Sequence, residues 1–386
     1  MKQFYPLSTF LTEYSEKNGG NAYRPVAVGR YGIRTRESIY SKELAKDYSK
    51  NKLIHKNTLT VGMGSVQIDI GVLTDDITYS VSPAYHTYKI AGVNAEYLRY
   101  CLECRNQDMF SRFVKRGSRQ GKTIDLKRWL TYEIPVYDEK RQQEIVDRLN
   151  RISELIEKRQ EQLVQLSELM KSRFIELFGE PEQNPKGWPL RPLGELCSVG
   201  SSKRIYQDEQ SHEGVPFWRI SDLVNKIDTG AADSNLFIPA EKYSELKQLG
   251  LVPIAGDVLV TSRGTLGRCY IVKAEDRFYF QDGMISWLSK YSEEITPLYL
   301  QYLFTMSSFR KQIDSMQAGS TVAYLSISML KQLQVMIPNK TTQQQFAAFV
   351  KQTDKSKYYS SLSFRYCQAA ANTYRQEWMT CRTSDF

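Results

Sequence analysis

Arginines placed beside glycine turns are the most chemically suggestive feature of this sequence. The segment GDVLVTSRGTLGR at 256–268 begins like a β-strand and brings Arg263 into a glycine-rich turn. An arginine in such a turn can reach guanine O6 and N7 or a phosphate, and Thr265 can contact a phosphate or a base edge. Arg268 follows the same turn. An ordinary hairpin with exposed arginines stays open as the alternative interpretation.

A second group of basic residues is interleaved with aromatic residues and glycines. The segment GRYGIRTR at 29–36 is the best candidate for base or phosphate contacts in the first part of the chain. In PFWRISD at 216–222, Arg219 is either a further contact or an ion-pair partner of Asp222. The remaining candidates for DNA binding from these segments and their surroundings are Arg30, Tyr31, Arg34, Arg36, Lys203, Arg204, Ser320 and Thr321.

The segment GSRQGKT at 117–123 resembles a phosphate-binding loop of nucleotide-hydrolysing enzymes but does not match it. Such a loop has four residues between its glycines, and here there are three. It must also follow a strand, whereas 110–116 has the pattern of a helix. We interpret it as a flexible loop that contacts phosphates, and a solvated run of charges is the alternative. Its cations are Lys115, Arg116, Arg119 and Lys122.

The sequence contains few residues whose spacing would predict a metal site or a catalytic site. One CxxC pair, Cys101 and Cys104, has no second pair, and the three histidines are scattered, so no metal site is predicted. Tyr97, Cys101 and Cys104 share one helix face, which favours packing in a core. Glu245 and Lys247 resemble the end of a nuclease motif without an acidic partner. The Asn/Asp-Pro-Pro-Tyr motif of amino-methyltransferases is absent, which argues against methyl transfer by this chain. Because no methyltransferase, P-loop or nuclease motif is intact, the chain is predicted not to be an enzyme.

These residues must be positioned by a few recognisable elements, of which the longest is a helix over 142–178. Nine apolar residues follow one another mostly at steps of three and four, and only Arg159 interrupts the stripe. Gly179 and Pro181 mark its end. Such a helix is roughly 55 Å long. Its narrow stripe predicts a partner helix, although a surface helix packed on one domain is an alternative. The stripe comprises Ile145, Leu149, Ile152, Ile156, Leu163, Leu166, Met170, Phe174 and Leu177.

The chain also repeats itself at an offset of about 200 residues. Short matches at 59–65 and 259–265, 97–100 and 299–302, 134–135 and 337–338, and 142–146 and 343–347 occur in the same order. We predict a duplicated plan of block, long helix, block, long helix. Strands are predicted at 59–61, 258–261, 269–272 and 284–288, and helices at 97–113 and 298–316. The second long helix, about 341–378, has a weaker stripe and lacks the Leu177-Phe178-Gly179 ending of the first.

The charge distribution favours a polyanionic partner for part of the molecule. Of the net charge of +9, residues 1–137 carry 21 basic and 13 acidic residues, hence +8, and residues 179–338 carry 16 and 18, hence −2. Six cysteines without paired spacing and an N-terminus unlike a signal peptide predict a cytoplasmic protein.

Taken together, the motifs resemble those of the specificity subunit of bacterial Type I restriction–modification systems. The resemblance rests on the duplication, on WPLRPLGEL at 188–196, on PFWRISD at 216–222, and on GDVLVTSRGTLG at 256–267. Two further shared features are the Ile-Pro before each glutamine-rich helix start and the SRFIELFG helix end at 172–179.

The resemblance implies an α/β (α+β) fold with two target-recognition domains, each reading half of a gapped DNA sequence. Two long helices would pair as an antiparallel coiled coil in a pseudo-twofold molecule. The implied domains are 1–137, a spacer helix at 138–179, 180–338, and a second helix with tail at 339–386. Partners would be double-stranded DNA, two modification subunits that use S-adenosylmethionine, and restriction subunits that use ATP and Mg²⁺, with no cofactor in this chain. A non-DNA coiled-coil scaffold and a methyltransferase or fused restriction enzyme are the alternatives.

Overall fold

The computed structural model describes residues 2–20, 23–39, 47–117, 121–317 and 323–379, the side chains of 116 and 117 excepted. Two units separate within this range. Unit 1 comprises Met1–Gln160 with Leu362–Phe386, and unit 2 comprises Glu161–Ser361. The units divide inside the two long helices. The domain boundaries drawn from the sequence at 137, 179 and 338 stay a prediction.

Unit 1 is built from twelve described strands, three short α-helices, two 3-10 helices (Leu7–Thr9 and Arg36–Ser38) and parts of both long helices. Its strands are β1 (Gln3–Pro6), β2 (Leu11–Tyr14), β3 (Pro25–Gly29), β4 (Gly32–Thr35), β5 (Lys52–Ile54), β6 (Thr58–Met63), β7 (Ile68–Leu73), β8 (Tyr79–Val81), β9 (His86–Ile90), β10 (Val114–Gly117), β11 (Gly121–Ile124) and β12 (Glu133–Val136). Its short helices are α1 (Ala95–Cys104), α2 (Asn106–Phe113) and α3 (Leu126–Trp129).

Two four-stranded sheets form the body of unit 1. One is antiparallel with the order β2-β9-β6-β7, and the other has the order β4-β3-β8-β5 with β3 parallel to β8. The sheets approach closely at Gly71, where an added Cβ would lie 2.6 Å from Ile33 Cγ1. Leu59 and Val61 of β6 are fully buried, as expected for the predicted strand at 59–61.

The segment predicted as one helix over 97–113 is two helices, so that prediction is wrong in detail. The break falls at Arg105, between α1 and α2. Asn106 is held there because its side chain accepts from the Ile68 N–H at 3.0 Å and donates to the Ile68 carbonyl at 2.9 Å. Because the Asn106 side chain is hydrogen-bonded to the backbone of β7, it fixes the residue at which α2 begins.

The basic segment at 114–124 is a hairpin, which corrects the prediction of a helix through Arg116 followed by a flexible loop. Helix α2 ends at Phe113, and Val114–Gly117 pairs antiparallel with Gly121–Ile124. Lys115 lies opposite Thr123, and Arg116 lies opposite Lys122. The β-branched Val114, Thr123 and Ile124 favour this extended pairing.

The first long helix, α4, spans Glu139–Phe178 and passes from unit 1 into unit 2. All nine apolar positions of its predicted stripe are buried or half-buried. Its start packs in the core of unit 1 through Ile145 and Leu149, and its end packs in the core of unit 2 through Phe174 and Phe178. The predicted helix and its buried face are confirmed.

Unit 2 repeats the plan with nine described strands and six short helices. The strands are β13 (Leu190–Pro192), β14 (Ser198–Gly200), β15 (Val215–Trp218), β16 (Phe237–Ile238), β17 (Val258–Thr261), β18 (Cys269–Ile271), β19 (Tyr279–Phe280), β20 (Ile285–Ser289) and β21 (Gln334–Met336). The helices are α5 (Leu193–Leu196), α6 (Ile220–Thr229), α7 (Ala240–Gln248), α8 (Pro297–Leu303), α9 (Ser307–Ser315) and α10 (Ile327–Gln332).

The first sheets of the two units share one strand order, which confirms the predicted duplication. The second sheet has four strands in unit 1 and three in unit 2. The sheet β14-β20-β17-β18 of unit 2 corresponds to β2-β9-β6-β7 of unit 1. In the second sheet, β15 runs parallel to β19 as β3 runs parallel to β8. The segment predicted as one helix over 298–316 is again two, α8 and α9, separated around Thr305. The predicted strands at 258–261, 269–272 and 284–288 match β17, β18 and β20 to within a residue.

Gln142 and Gln343 occupy equivalent buried positions near the starts of the two long helices. Oε1 of Gln142 accepts from the Asn94 N–H at 2.9 Å, and Oε1 of Gln343 accepts from the Thr296 N–H at 3.0 Å. Asn94 and Thr296 in turn cap α1 and α8 with their side chains. The glutamine-rich helix starts therefore tie each long helix to the short helix beneath it.

The second long helix, α11, spans Lys340–Met379 and ends in the core of unit 1. The Trp378 ring centroid lies 5.3 Å from that of Tyr97, and Tyr137 donates to the Trp378 carbonyl at 2.9 Å. In unit 2, Phe178 packs on Tyr299 with centroids 4.8 Å apart. Trp378 therefore occupies in unit 1 the position that Phe178, 200 residues earlier, occupies in unit 2. The expectation that α11 lacks an ending equivalent to that of α4 is wrong.

Each unit contains the start of one long helix and the end of the other. Pairing of the helices as a coiled coil along their length stays a prediction. Within the part of the chain that the structure describes, no helix combines the length and apolar character needed to cross a membrane.

Candidate nucleic-acid interface

The β3–β4 hairpin of unit 1 presents an aromatic ring between two guanidinium groups. Arg30 and Tyr31 form its two-residue turn, and Gly32 follows with φ of +74°, a conformation that glycine adopts readily. Tyr31 is 71% exposed. The guanidinium carbons of Arg30 and Arg34 lie 5.8 and 5.4 Å from its ring centroid. Stacking on the ring holds both cations at the tip of the hairpin.

Arg36 follows the end of β4, at the start of a 3-10 helix over Arg36–Ser38, and is less available. Its guanidinium lies 5.4 Å from the Tyr48 ring centroid, and its buried Nε has no hydrogen-bond partner within the part of the chain that the structure describes. A cleft of about 240 Å³ lies beside the hairpin, lined by residues that include Tyr31, Thr35 and Asp75. The predicted contacts at Arg30, Tyr31 and Arg34 are brought together here, and Arg36 points to a separate ring.

A second basic group of unit 1 forms where the β10–β11 hairpin meets the turn after β6. Lys122 Nζ donates to the Ser65 carbonyl and lies 5.3 Å from the Phe110 ring centroid. Lys115 pairs with Asp125 at 2.8 Å, and this lysine holds the pKa of the Asp125 carboxyl below its usual value. Of the other two predicted cations, Arg119 and the side chain of Arg116 lie outside the described residues.

The corresponding turn in unit 2 carries Arg263. Gly264 adopts φ of +65°, and at Gly267, where φ is +72°, an added Cβ would lie 2.9 Å from Ile313 Cδ1. The Arg263 guanidinium lies 5.1 Å from the Tyr324 ring centroid, and the two backbones form an isolated β-bridge. Arg263 and Thr265 are both exposed. Ser320 and Thr321, predicted to complete this site, lie outside the described residues.

Arg268 differs from Arg263 because its charge is already compensated. Its Nη1 donates to Asp228 Oδ2 at 3.0 Å, and Nη2 bonds the other carboxylate oxygen of Asp228. The pair raises the pKa of Arg268 and lowers that of Asp228. A bidentate pair of this kind links α6 to the residue that precedes β18. A DNA contact by Arg268 would have to share or break the pair.

The remaining predicted cations of unit 2 also have acidic or amide neighbours. Arg219 donates through Nη2 to Asn235 Oδ1 at 3.0 Å, and its backbone N–H donates to the buried Asp222 carboxylate at 2.8 Å. Arg204 pairs with Asp282 at 3.0 Å and remains well exposed. The exposed Lys203 precedes it, and its backbone N–H donates to the Tyr279 hydroxyl. Arg219 Nε also lies 3.5 Å from Asp222 Oδ2, so the ion-pair interpretation of Arg219 is confirmed, and a DNA contact by this arginine stays a prediction.

The structure adds Tyr324 and the Ser65 turn to the candidates. Tyr324 was missed because it follows the polar loop in the chain and no pattern links it to Arg263. The available signal was positional, since this segment corresponds to the basic hairpin of the first copy. In both units the glycine turn after one strand, β6 or β17, contacts the segment that precedes the last strand, β12 or β21. The contact is between Lys122 and Ser65 in unit 1, and between Tyr324 and Arg263 in unit 2.

The cysteine pair belongs to the core of unit 1. Tyr97 and Cys101 are fully buried, and burial raises the pKa of the Cys104 thiol to about 11. The predicted packing of this helix face is confirmed. Among the described residues, no cluster of three His, Cys, Asp or Glu is placed to hold a metal ion.

The arrangement is suited to contacts with a polyanion. Among the described residues, Arg30, Arg34 and Arg263 form no ion pair, and each guanidinium is exposed next to a tyrosine ring. Guanidinium groups bind phosphates and the guanine edge through paired N–H donors. A duplicated α/β fold with such turns suits the class of proteins that bind nucleic acids.

Comparison with known sequences identifies the family. The sequence model described as the Type I restriction modification DNA specificity domain matches residues 10–166 and again residues 185–358. The chain belongs to this family.

Curated relatives carry the same description over part of their length. The specificity subunit of the type I restriction enzyme MjaIX of Methanocaldococcus jannaschii is 24% identical over 285 residues, 67% of this chain and 62% of that protein. A candidate type I specificity subunit of Haemophilus influenzae is 29% identical over 147 residues, 38% of this chain and 35% of that protein. The chain therefore matches less than two thirds of the length of either relative.

A solved structure shares the fold over nearly the whole chain. The Type I restriction–modification S subunit of M. genitalium superposes with a TM-score of 0.59 at 16% identity, covering 99% of this chain and 97% of that one. At this identity the similarity establishes the fold.

Proposed function

We propose that the chain is the DNA-binding specificity subunit of a Type I restriction–modification complex and that each unit reads one half of a gapped duplex target. The observation that carries this proposal is the double match of the family model, one match for each copy of the fold. The copies differ at their exposed turns, where Arg263 and Thr265 of unit 2 replace Met63 and Ser65 of unit 1. Similar folds with different turn residues suit two different half-sequences.

The exposed cations supply the attraction to DNA in this proposal. Arg30 and Arg34 in unit 1, and Arg263 in unit 2, contact phosphates or guanine edges from the tips of hairpins narrow enough for a groove. Lys122 lies beside the turn of unit 1 and approaches a flanking phosphate. Contacts to phosphates position the protein, and contacts to base edges select the sequence.

Catalysis belongs to partner subunits in this proposal. Two modification subunits bind S-adenosylmethionine and methylate adenine N6, and restriction subunits use ATP and Mg²⁺ to cleave DNA. The two long helices pair as an antiparallel coiled coil and set the gap between the half-sites. The chain itself contributes recognition and no catalytic residue.

Salt-dependent binding separates this proposal from a scaffold that does not bind DNA. The full chain is titrated onto duplex DNA at several salt concentrations. Each phosphate contact contributes about 0.9 to the slope of log affinity against log salt. We expect a steep slope that becomes shallower in the double variant Arg30→Ala/Arg34→Ala. The control is Arg141→Ala, which removes an exposed cation of α4 that pairs with Glu144 at 2.8 Å.

Binding to duplex that is absent or independent of salt would support the scaffold instead. A slope changed equally by the control would show that overall charge, rather than the hairpin, carries the attraction.

A further inference from the structure

The turn between β6 and β7 in unit 1 exposes an apolar side chain that its counterpart in unit 2 buries. Val66 is 62% exposed, whereas Leu266, 200 positions later, is 6% exposed and packs in the core of unit 2. Both copies thus keep an aliphatic residue at this place in the turn. In unit 1 its surface faces solvent within the basic group already described.

The backbone around Val66 is held on both sides. Lys122 Nζ donates to the carbonyl of Ser65, which precedes it. The buried Asn106 makes two hydrogen bonds to the backbone of Ile68, at 3.0 and 2.9 Å. A β-branched side chain has few rotamers, so a fixed backbone presents valine as a fixed apolar surface.

The surroundings of Val66 suit a DNA edge better than an apolar protein surface. Its sequence neighbours are Ser65 and Gln67, and the Lys122 ammonium bonds the same turn. Lys115, on the same hairpin as Lys122, pairs with Asp125 at 2.8 Å and has a side chain that is mostly exposed. A single aliphatic group among cations matches a major-groove edge flanked by phosphates. The one apolar group on that edge is the 5-methyl group of thymine.

We propose that Val66 reads a thymine through its 5-methyl group in the half-site bound by unit 1. Lys122 approaches a flanking phosphate and brings the turn into the groove, and Lys115 can do the same by exchanging Asp125 for a phosphate. This inference rests on the proposed function, because it requires unit 1 to read one half of a duplex target. Burying one methyl group corresponds to roughly a four-fold change in affinity.

The test removes the methyl group from the DNA and the apolar group from the protein. The full chain, purified with the modification subunit of its own system, is titrated onto its mapped target. Each thymine of the target is replaced singly by uracil, which lacks only the methyl group. We expect wild-type protein to lose affinity roughly three- to five-fold at one position. Val66→Ser should bind the thymine duplex more weakly by a similar factor and show no further loss with uracil.

Two further variants make the result specific. Ile77→Ser changes another exposed aliphatic residue of unit 1, between β7 and β8, and should keep the wild-type response to uracil. Val66→Thr keeps the branched shape with one methyl group and should give an intermediate response. Circular dichroism checks that the variants fold.

Two outcomes overturn the inference while leaving the proposed function intact. In one, the wild-type protein binds its target specifically and is insensitive to uracil at every position. In the other, Val66→Ser retains the full wild-type loss with uracil. If the wild-type complex shows no preference for its target over random duplex, the proposed function itself fails.

Discussion

At the scale of single residues, exposure and pairing rank the arginines of unit 2. Arg263 stacks on Tyr324 and forms no ion pair among the described residues, whereas Arg268, five positions later, is held by both carboxylate oxygens of Asp228. Desolvating an arginine that already has a partner requires that partner to be replaced. Of the two arginines of this turn, Arg263 is therefore the one that can bind DNA without losing an ion-pair partner among the described residues.

We predict that Arg263→Ala weakens binding to the specific site by about 1–3 kcal/mol. The loss should be confined to the half-site read by unit 2, because the side chain leaves the turn of that unit. The control is Arg277→Ala, which removes an exposed arginine of the same unit that stacks on Tyr243 at 5.7 Å. Competition binding with targets altered in one half at a time measures both variants.

An equal loss on random duplex would make Arg263 a phosphate contact. No loss on any duplex would identify it as an ordinary exposed arginine of a hairpin.

The sequence could not separate Arg263 from Arg268. Both lie in one glycine-rich segment, and the partner of Arg268 is Asp228, 40 positions away on α6. Tyr324 is equally remote from Arg263. Local patterns locate turns and their glycines, because backbone conformation depends on neighbouring residues. They do not report which side chains the folded chain brings together, and this limits any list of binding residues drawn from sequence.

A second residue-scale prediction concerns the buried glutamine of α11. Gln343→Ala should lower the free energy of unfolding of unit 2 by about 1–3 kcal/mol, because it leaves buried backbone groups unpaired. Those groups are the Thr296 N–H and the carbonyls of Glu294 and Pro338. Amide hydrogen exchange in α8 measures the loss. Gln344→Ala changes an exposed neighbour and should leave exchange unchanged. Matching effects of the two variants would contradict the anchoring role.

At the scale of elements, the periodicity of apolar residues predicted the long regular helix and missed the points where helices break or end. The apolar stripe of α4 could be predicted because an uninterrupted long helix buries one face at regular spacing. The helices predicted over 97–113 and 298–316 each break in two, since side-chain bonds such as those of Asn106 interrupt a pattern that looks continuous. The end of α11 was misjudged because a tryptophan in place of a phenylalanine hides the correspondence with Phe178.

We predict that Trp378→Ala destabilises unit 1 by about 3–5 kcal/mol, since it empties a buried aromatic site beside Tyr97. Trp378→Phe should retain most of the stability, because the indole N–H has no hydrogen-bond partner among the described residues and phenylalanine occupies the equivalent place in unit 2. Hydrogen exchange in α1 reports the change, with α8 of unit 2 as the internal reference.

A small effect of the alanine variant would show that the end of α11 contributes little to the core. Equal losses in α1 and α8 would show that the effect is not local to unit 1.

At the scale of the whole molecule, the duplication gives the chain two units of similar fold. Each unit carries its own sheets, its own glutamine anchor and its own exposed turn, and both long helices pass from one unit to the other. Under the proposed function, the units choose the half-sequences and the helices set the distance between them.

We predict that the helices act as a ruler. Inserting four residues after Glu161, where α4 passes between the units, adds about one helical turn, roughly 6 Å. This corresponds to about one to two base pairs of extra gap. The insertion shifts the phase of the apolar stripe, so some stability will be lost. The matched control variant carries both insertions, the one after Glu161 and a second of four residues after Ser361, where α11 passes between the units.

Mapping the methylated sequence in cells with these variants gives the outcome. Unchanged half-sequences around a longer gap support the ruler. An active variant with the original gap rejects it, and an altered half-sequence would mean that the helix positions base contacts directly.

A further whole-molecule prediction concerns catalysis. The purified chain should neither methylate nor cut DNA, because its sequence lacks the methyltransferase and phosphate-binding-loop motifs. Incubation with S-adenosylmethionine and duplex DNA should give methyladenine only after a modification subunit is added. Methyl transfer by the chain alone would favour the methyltransferase alternative.

The most direct test of the central claim is a genome-wide map of N6-methyladenine in cells with and without this chain, each also containing the modification subunit. The account predicts a methylated motif of two half-sequences separated by a fixed gap, present only with the chain. It also predicts that Arg263→Ala weakens selection in one half of that motif alone. A motif that persists without the chain, or one that is continuous and ungapped, would contradict the reading of a two-part target by two units.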